Sequence, residues 1–109
     1  MPTLALSMIV KNAEASLDRC LESVRGLADE IVIADTGSTD STPEIARRHG
    51  AKILSIPWEQ DFAKARNRSL AAVESDWVLV LDADEMLDPK SVESVRRLLA
   101  HSEVAGYIT

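Results

Sequence analysis

Apolar residues along this chain fall into short runs separated by amphipathic stretches, and the alternation predicts strands and helices in turn. Leu4 to Val10 reads as a first strand. Ala13 to Val24 places Leu17, Leu21 and Val24 on one helical face. Glu30-Ile31-Val32-Ile33-Ala34 reads as a second strand. Ser41-Thr42-Pro43-Glu44 has the capping-box pattern with an early proline, so a helix opens there and runs to His49-Gly50, where glycine stops it. Ala51 to Ile56 is a third strand, ended by Pro57. Phe62, Ala65, Ser69, Leu70 and Val73 share a helical face. Trp77 to Leu81 is a fourth apolar run, Asp88-Pro89 opens a helix with Val92, Val95 and Leu99 inward, and Gly106 begins a last strand. This βαβαβαβαβ order predicts an α/β fold: a mainly parallel, Rossmann-like sheet with helices on both faces and right-handed crossovers.

Composition narrows the function classes. A chain of 109 residues fits one domain at the small end of the range, and its 46% hydrophobic content excludes a disordered tail. The net charge of −6 argues against a nucleic-acid partner, since no basic stripe is visible beyond Arg66/Arg68 and the pairs Arg47-Arg48 and Arg96-Arg97. The single cysteine, Cys20, excludes an internal disulfide, makes a reducing cytoplasm the default and falls on the apolar face of the first helix. No apolar stretch is long enough for a membrane span, and the start lacks the basic n-region of a signal peptide. Peripheral attachment at the inner membrane face is compatible with both. Gly106-Tyr107-Ile108-Thr109 reads as a strand beginning, so the expectation is a single domain, residues 1–109, of a longer protein. An open sheet edge there predicts self-association into a homo-oligomer.

The chemistry concentrates at strand ends. Asp82-Ala83-Asp84, with Glu85, directly follows the buried run Trp77–Leu81. In open α/β sheets ligands bind at the carboxyl ends of strands. Carboxylates gathered there repel one another unless a cation arrives, and Mg²⁺ or Mn²⁺ carrying a diphosphate matches oxygen donors. The second strand ends in Asp35-Thr36-Gly37-Ser38-Thr39-Asp40-Ser41-Thr42, at the same edge. Asp35 is placed to accept a hydrogen bond from a nucleobase N–H or a ribose hydroxyl; the competing reading is a loop whose Asp40, Ser41 or Thr42 caps the next helix. Neither G-x-G-x-x-G nor G-x-x-x-x-G-K is present, which argues against a dinucleotide dehydrogenase and a P-loop enzyme.

Three blocks together are specific where a lone D-x-D is weak. Ser7-Met8-Ile9-Val10-Lys11-Asn12-Ala13-Glu14, Ile33-Ala34-Asp35-Thr36-Gly37-Ser38-Thr39-Asp40, and Phe62-Ala63-Lys64-Ala65-Arg66-Asn67 followed by Leu81-Asp82-Ala83-Asp84-Glu85 resemble the N-terminal half of a family 2 glycosyltransferase of the GT-A fold. The Met-Ile-Val-Lys-Asn and Ala-Arg-Asn segments resemble a bacterial branch that includes lipopolysaccharide-core sugar transferases and proteins with appended tetratricopeptide repeats. The resemblance implies a nucleotide-diphospho-sugar donor, a saccharide or lipid-linked acceptor and inverting transfer in cell-envelope glycan synthesis. It implies that Ile9, Val10 and Asn12 line the base pocket, that Asp35 holds the base, and that Asp82 and the adjoining Ala83 contact the ribose or, for Asp82, the metal through water. Asp84 would ligate Mn²⁺ or Mg²⁺. Lys64, Arg66 or Arg68 would approach the diphosphate, against the alternative of a solvated helix face. The chain departs from the family's Pro-Thr-Tyr-Asn and Asp-Asp-Gly patterns at Ile9–Asn12 and Asp35–Gly37, so no aromatic is offered to the base. The family's general base lies C-terminal to these blocks, and no catalytic base is assigned here. A non-catalytic nucleotide-binding module is the alternative; a dehalogenase-type phosphatase fits poorly, because Glu85-Met86 follows the second aspartate.

Overall fold

The computed structural model describes residues 3–56, 62–83, 88–101 and 106–108. Among the described residues nine elements alternate: β1 (Leu4–Val10), α1 (Leu17–Ser23), β2 (Glu30–Asp35), α2 (Thr42–Arg48), β3 (Lys52–Ser55), α3 (Phe62–Ala71), β4 (Trp77–Val80), α4 (Pro89–His101) and β5 (Gly106–Ile108). The five strands form one sheet in the order β3-β2-β1-β4-β5, with every pairing parallel. The α/β fold expected from the alternation is thus present. Chain direction reverses between β1 and β4: β2 and β3 build outward on one side, β4 and β5 on the other. A switch point of this kind opens a crevice at the carboxyl ends of the two central strands.

Side-chain alternation along β1 sorts the two faces. Leu4, Leu6, Met8 and Val10 join Leu17, Leu21 and Val24 of the α1 region, Ile45 and Ala46 of α2, Trp77 and Leu79 of β4, and Val95 and Leu99 of α4 in one buried cluster. Helices α1, α2 and α4 therefore share a face. On the other face Ala34 and Ala65 pack with Ile9, Leu54 and Ile56, and α3 lies close across β1 and β2. Small side chains at Ala5, Ser7, Ala34, Ala65 and Ser69 are what let α3 approach.

The expectation of uniform right-handed crossovers needs correcting. The β1–α1–β2 and β4–α4–β5 units lie on one face yet progress in opposite directions along the sheet, so they have opposite hands. Val95 and Leu99 of α4 are buried in the same cluster as Leu17, Leu21 and Val24, and the Arg96 guanidinium lies close to Gly26.

Element boundaries moved where local hydrogen bonds outcompeted periodicity. The first helix begins at Leu17 rather than Ala13, because residues 13–16 form a turn in which the Ser16 and Leu17 amides donate to the Ala13 carbonyl. The expected capping box at Ser41–Glu44 does not form: Ser41 makes no side-chain cap bond, and its own amide is taken by Glu14. The third strand shortens to four residues and the third helix ends before Val73. Gly50 ends α2 as expected, at φ 75°. Asp88 does cap α4, its Oδ1 accepting the Ser91 amide at 2.7 Å. Cys20 is fully buried, as its apolar face required.

Candidate functional site

Parallel pairing puts the ends of β1, β2 and β4 side by side. Asp35 stands opposite Val10, and Ser7 stands opposite Val80, so Asp82 follows β4 at the level of Ile9. With strands about 5 Å apart, Asp35 and Asp82 flank the end of β1 at roughly 10 Å across the sheet. Asp35 and Asp82 thus lie at the carboxyl edge on either side of the Ile9–Val10 backbone.

Asp35 is nearly buried, at 6% exposure, and its Oδ1 accepts the amides of Gly37 (2.9 Å) and Ser38 (2.8 Å). This bends the chain out of β2, with Gly37 at φ 117°, a region that glycine enters without strain. Thr36 donates both its amide and its hydroxyl to the Val10 carbonyl, at 3.0 and 3.1 Å, and so ties the turn to β1.

The loops after β1 and β2 are stitched together residue by residue. Asn12 adopts φ 52°, its amide donates to Ser38 Oγ (2.9 Å), and its Oδ1 accepts the Thr39 amide (2.8 Å). The Ala13 amide donates to Thr42 Oγ1 (2.8 Å), the Glu14 amide to Asp40 Oδ2 (3.3 Å), and the Ser41 amide to Glu14 Oε2 (2.9 Å). Asp40 also accepts the amide and the hydroxyl of Thr42, and the hydroxyl bond is the main reason its carboxyl titrates below the usual value of 3.8. In the sequence Asn12, Asp40 and Thr42 stand out only singly, as pocket or cap residues. That they form one reciprocal set is not legible there, because partners about 27 residues apart leave no local signature.

Asp82 is exposed, and its carbonyl lies 3.7 Å from the Cys20 thiol, which ties the start of the acidic segment to α1. Asp84, the expected direct metal ligand, lies outside the described residues, as does Glu85. Among the described residues no three His, Cys, Asp or Glu side chains converge as a metal site. The donors that the sequence supplies at this strand end are all carboxylates, the hard oxygen type that suits Mg²⁺ or Mn²⁺.

On the other face α3 descends from the carboxyl edge toward the amino edge. Lys64 lies in its first turn and is exposed; Arg66 is half-buried; Arg68 is exposed, about 6 Å beyond Lys64 along the helix. Lys11 is exposed, as expected, and Ala83 is half-buried against the main cluster. His49 is occupied away from this edge, its Nε2 2.8 Å from Asp18 Oδ1.

Comparison with known proteins gives the chain's family and relatives. The model of glycosyl transferase family 2 matches residues 6–109. The chain belongs to that family. A TPR repeat-containing protein of Synechococcus elongatus is 44% identical over 107 residues, which are 98% of this chain and 27% of that protein. A glycosyltransferase of Rickettsia typhi is 32% identical over 99% of this chain and 37% of its own length. This family 2 chain therefore spans about a third of the length of the relatives it matches. Among solved structures, glucosyl-3-phosphoglycerate synthase from Mycobacterium tuberculosis, in complex with Mn²⁺, UDP and glucosyl-3-phosphoglycerate, superposes with a TM-score of 0.72 at 28% identity, over 94% of this chain and 41% of that one. Staphylococcus aureus TarS shares the fold, with a TM-score of 0.74 at 20% identity over 90% of this chain and 32% of that one.

Proposed function

We propose that residues 1–109 form the donor-binding part of a glycosyltransferase that takes a UDP-sugar and passes the sugar to an acceptor hydroxyl. The observation that carries this reading is the strand order at the carboxyl edge. A parallel sheet of order β3-β2-β1-β4-β5 sets Asp35 and Asp82 on either side of the β1 end, in a family 2 chain. A structural neighbour at 28% identity holds UDP and Mn²⁺. In this reading the Ile9–Val10 backbone and Asp35 take the nucleoside, and Asp82, with Ala83 beside it, lies under the ribose. Lys64 and Arg66 come from α3 toward the diphosphate. Asp84, helped by Asp82, would hold Mn²⁺ or Mg²⁺, which when bound offsets the charge that develops on the departing nucleoside diphosphate. Inverting transfer to a saccharide or lipid-linked acceptor in cell-envelope glycan synthesis is the finer form of the proposal, supported by the Met8–Asn12 and Ala65–Asn67 segments. No general base is assigned among these residues. Among the described residues no helix is long and apolar enough to cross a membrane, which leaves a cytoplasmic, membrane-peripheral placement as part of the same proposal.

Isothermal titration of UDP with and without Mn²⁺ tests it. Binding should require the metal, and Asp84→Ala should weaken it by at least about tenfold, the scale of one lost charge-assisted contact. Metal-independent binding, or an Asp84→Ala variant indistinguishable from wild type, would sink the reading.

A further inference from the structure

Of all the residues at the carboxyl edge, Asn12 combines two features that its place in a nucleotide pocket does not explain. Its backbone sits at φ 52°, in the left-handed region that asparagine tolerates better than other non-glycine residues. Its polar groups also point across to the next loop: the amide to Ser38 Oγ at 2.9 Å, the carboxamide oxygen to the Thr39 amide at 2.8 Å and the Thr39 hydroxyl at 3.4 Å. Ser38 and Thr39 directly follow the turn that Asp35 closes by accepting the Gly37 and Ser38 amides. The Ser38 main chain is thus bound to Asp35 while its side chain is bound to Asn12. The carboxylate at one wall of the crevice and the loop after β1 share a single fixed geometry.

We propose that Asn12 is a positioning residue: it latches the β2–α2 loop so that Asp35 is held ready for the base of the donor nucleotide. The inference rests on the donor-site reading above and deepens it. Selectivity for the nucleoside depends on a cross-loop latch, whereas the diphosphate end of the donor does not. The left-handed backbone is part of the device, because it turns the Asn12 amide and carboxamide toward the same neighbouring loop.

Two substitutions separate the roles in the full-length protein. Asn12→Gly keeps the backbone conformation without strain and removes the carboxamide. Asn12→Asp keeps an acceptor oxygen in the same place. In the unliganded protein, hydrogen exchange of the Ser38 and Thr39 amides should speed up at least tenfold in Asn12→Gly and stay near wild type in Asn12→Asp. UDP affinity in the presence of Mn²⁺ should fall about tenfold in Asn12→Gly and largely recover in Asn12→Asp, while Mn²⁺–pyrophosphate affinity in Asn12→Gly stays within about twofold of wild type. Unchanged exchange in Asn12→Gly, or equal losses for UDP and pyrophosphate, overturns the proposal. A wild-type protein that binds no UDP overturns the donor-site reading itself, and the exchange comparison then still upholds or overturns the latch.

Discussion

Asp35, Asp40 and Asp88 each end a strand or open a helix, and each spends its carboxylate on main-chain amides nearby. The strand-end position of Asp35 and the Asp-Pro start of α4 were legible in the sequence, because each depends on neighbours two or three residues away. The further bond of Asp40 to the Glu14 amide was not, because it comes from another loop. The carboxyls of Asp40 and Asp88 titrate below their ordinary value of 3.8, chiefly through the Thr42 hydroxyl and the Ser91 amide respectively. A depressed folded-state pKa adds stability that is fully present above about pH 3.8 and is lost as pH falls through the lower folded value. Asparagine caps comparably but does not titrate. An Asp40→Asn/Asp88→Asn double variant should therefore show a shallower loss of stability below pH 3.8 than wild type in acid unfolding followed by circular dichroism. Identical acid slopes would refute the assignment.

At the scale of elements, α3 is held to β1 by an unexpected polar contact. Ser7 in the strand and Ser69 in the helix are both buried, and their hydroxyls lie 2.8 Å apart. Helical period puts Ser69 on the inward face of its helix and Ser7 lies inside the first strand, but nothing in either segment signals the pairing across 62 residues. The pair joins β1 to the helix that carries Lys64 and Arg66. Ser69→Ala strands the Ser7 hydroxyl in the core and should cost about 1–3 kcal/mol, whereas replacing both removes the demand for a partner. In urea denaturation the Ser7→Ala/Ser69→Ala double variant should lose less than the sum of the single changes. Strict additivity would show that the hydroxyls are not coupled.

Across the whole molecule the two edges of the sheet use acidic residues differently. At the carboxyl edge they shape loops and face a crevice. At the amino edge they fasten strands: Asp29 accepts the Leu4 amide at 2.7 Å, Asp76 the Thr3 amide at 3.1 Å, and a single oxygen of Glu30 takes the Glu74 amide, the Ser75 amide and the Ser75 hydroxyl, each at 2.7 Å. Glu30 thereby joins the start of β2 to the approach to β4, two strands away. Glu30→Ala should destabilise by about 1–2 kcal/mol through the unmet donors. It should leave UDP titration in Mn²⁺ unaltered, because the clamp lies at the opposite edge from the crevice. A changed UDP affinity at unchanged stability would show that the two edges are coupled.

The sequence by itself determined the α/β class, the order of elements and the placing of Asp35 and Asp82 after strands, because hydrophobic period, glycine and proline act over a few residues. Its three blocks also carry the resemblance to family 2. Only the tertiary structure decided which strands are neighbours, that α4 returns to the α1 face, and that Asn12, Glu14, Ser38, Asp40 and Thr42 act as one network. Those outcomes depend on contacts between residues tens of positions apart, where packing and cross-loop hydrogen bonds, rather than local preference, set the geometry.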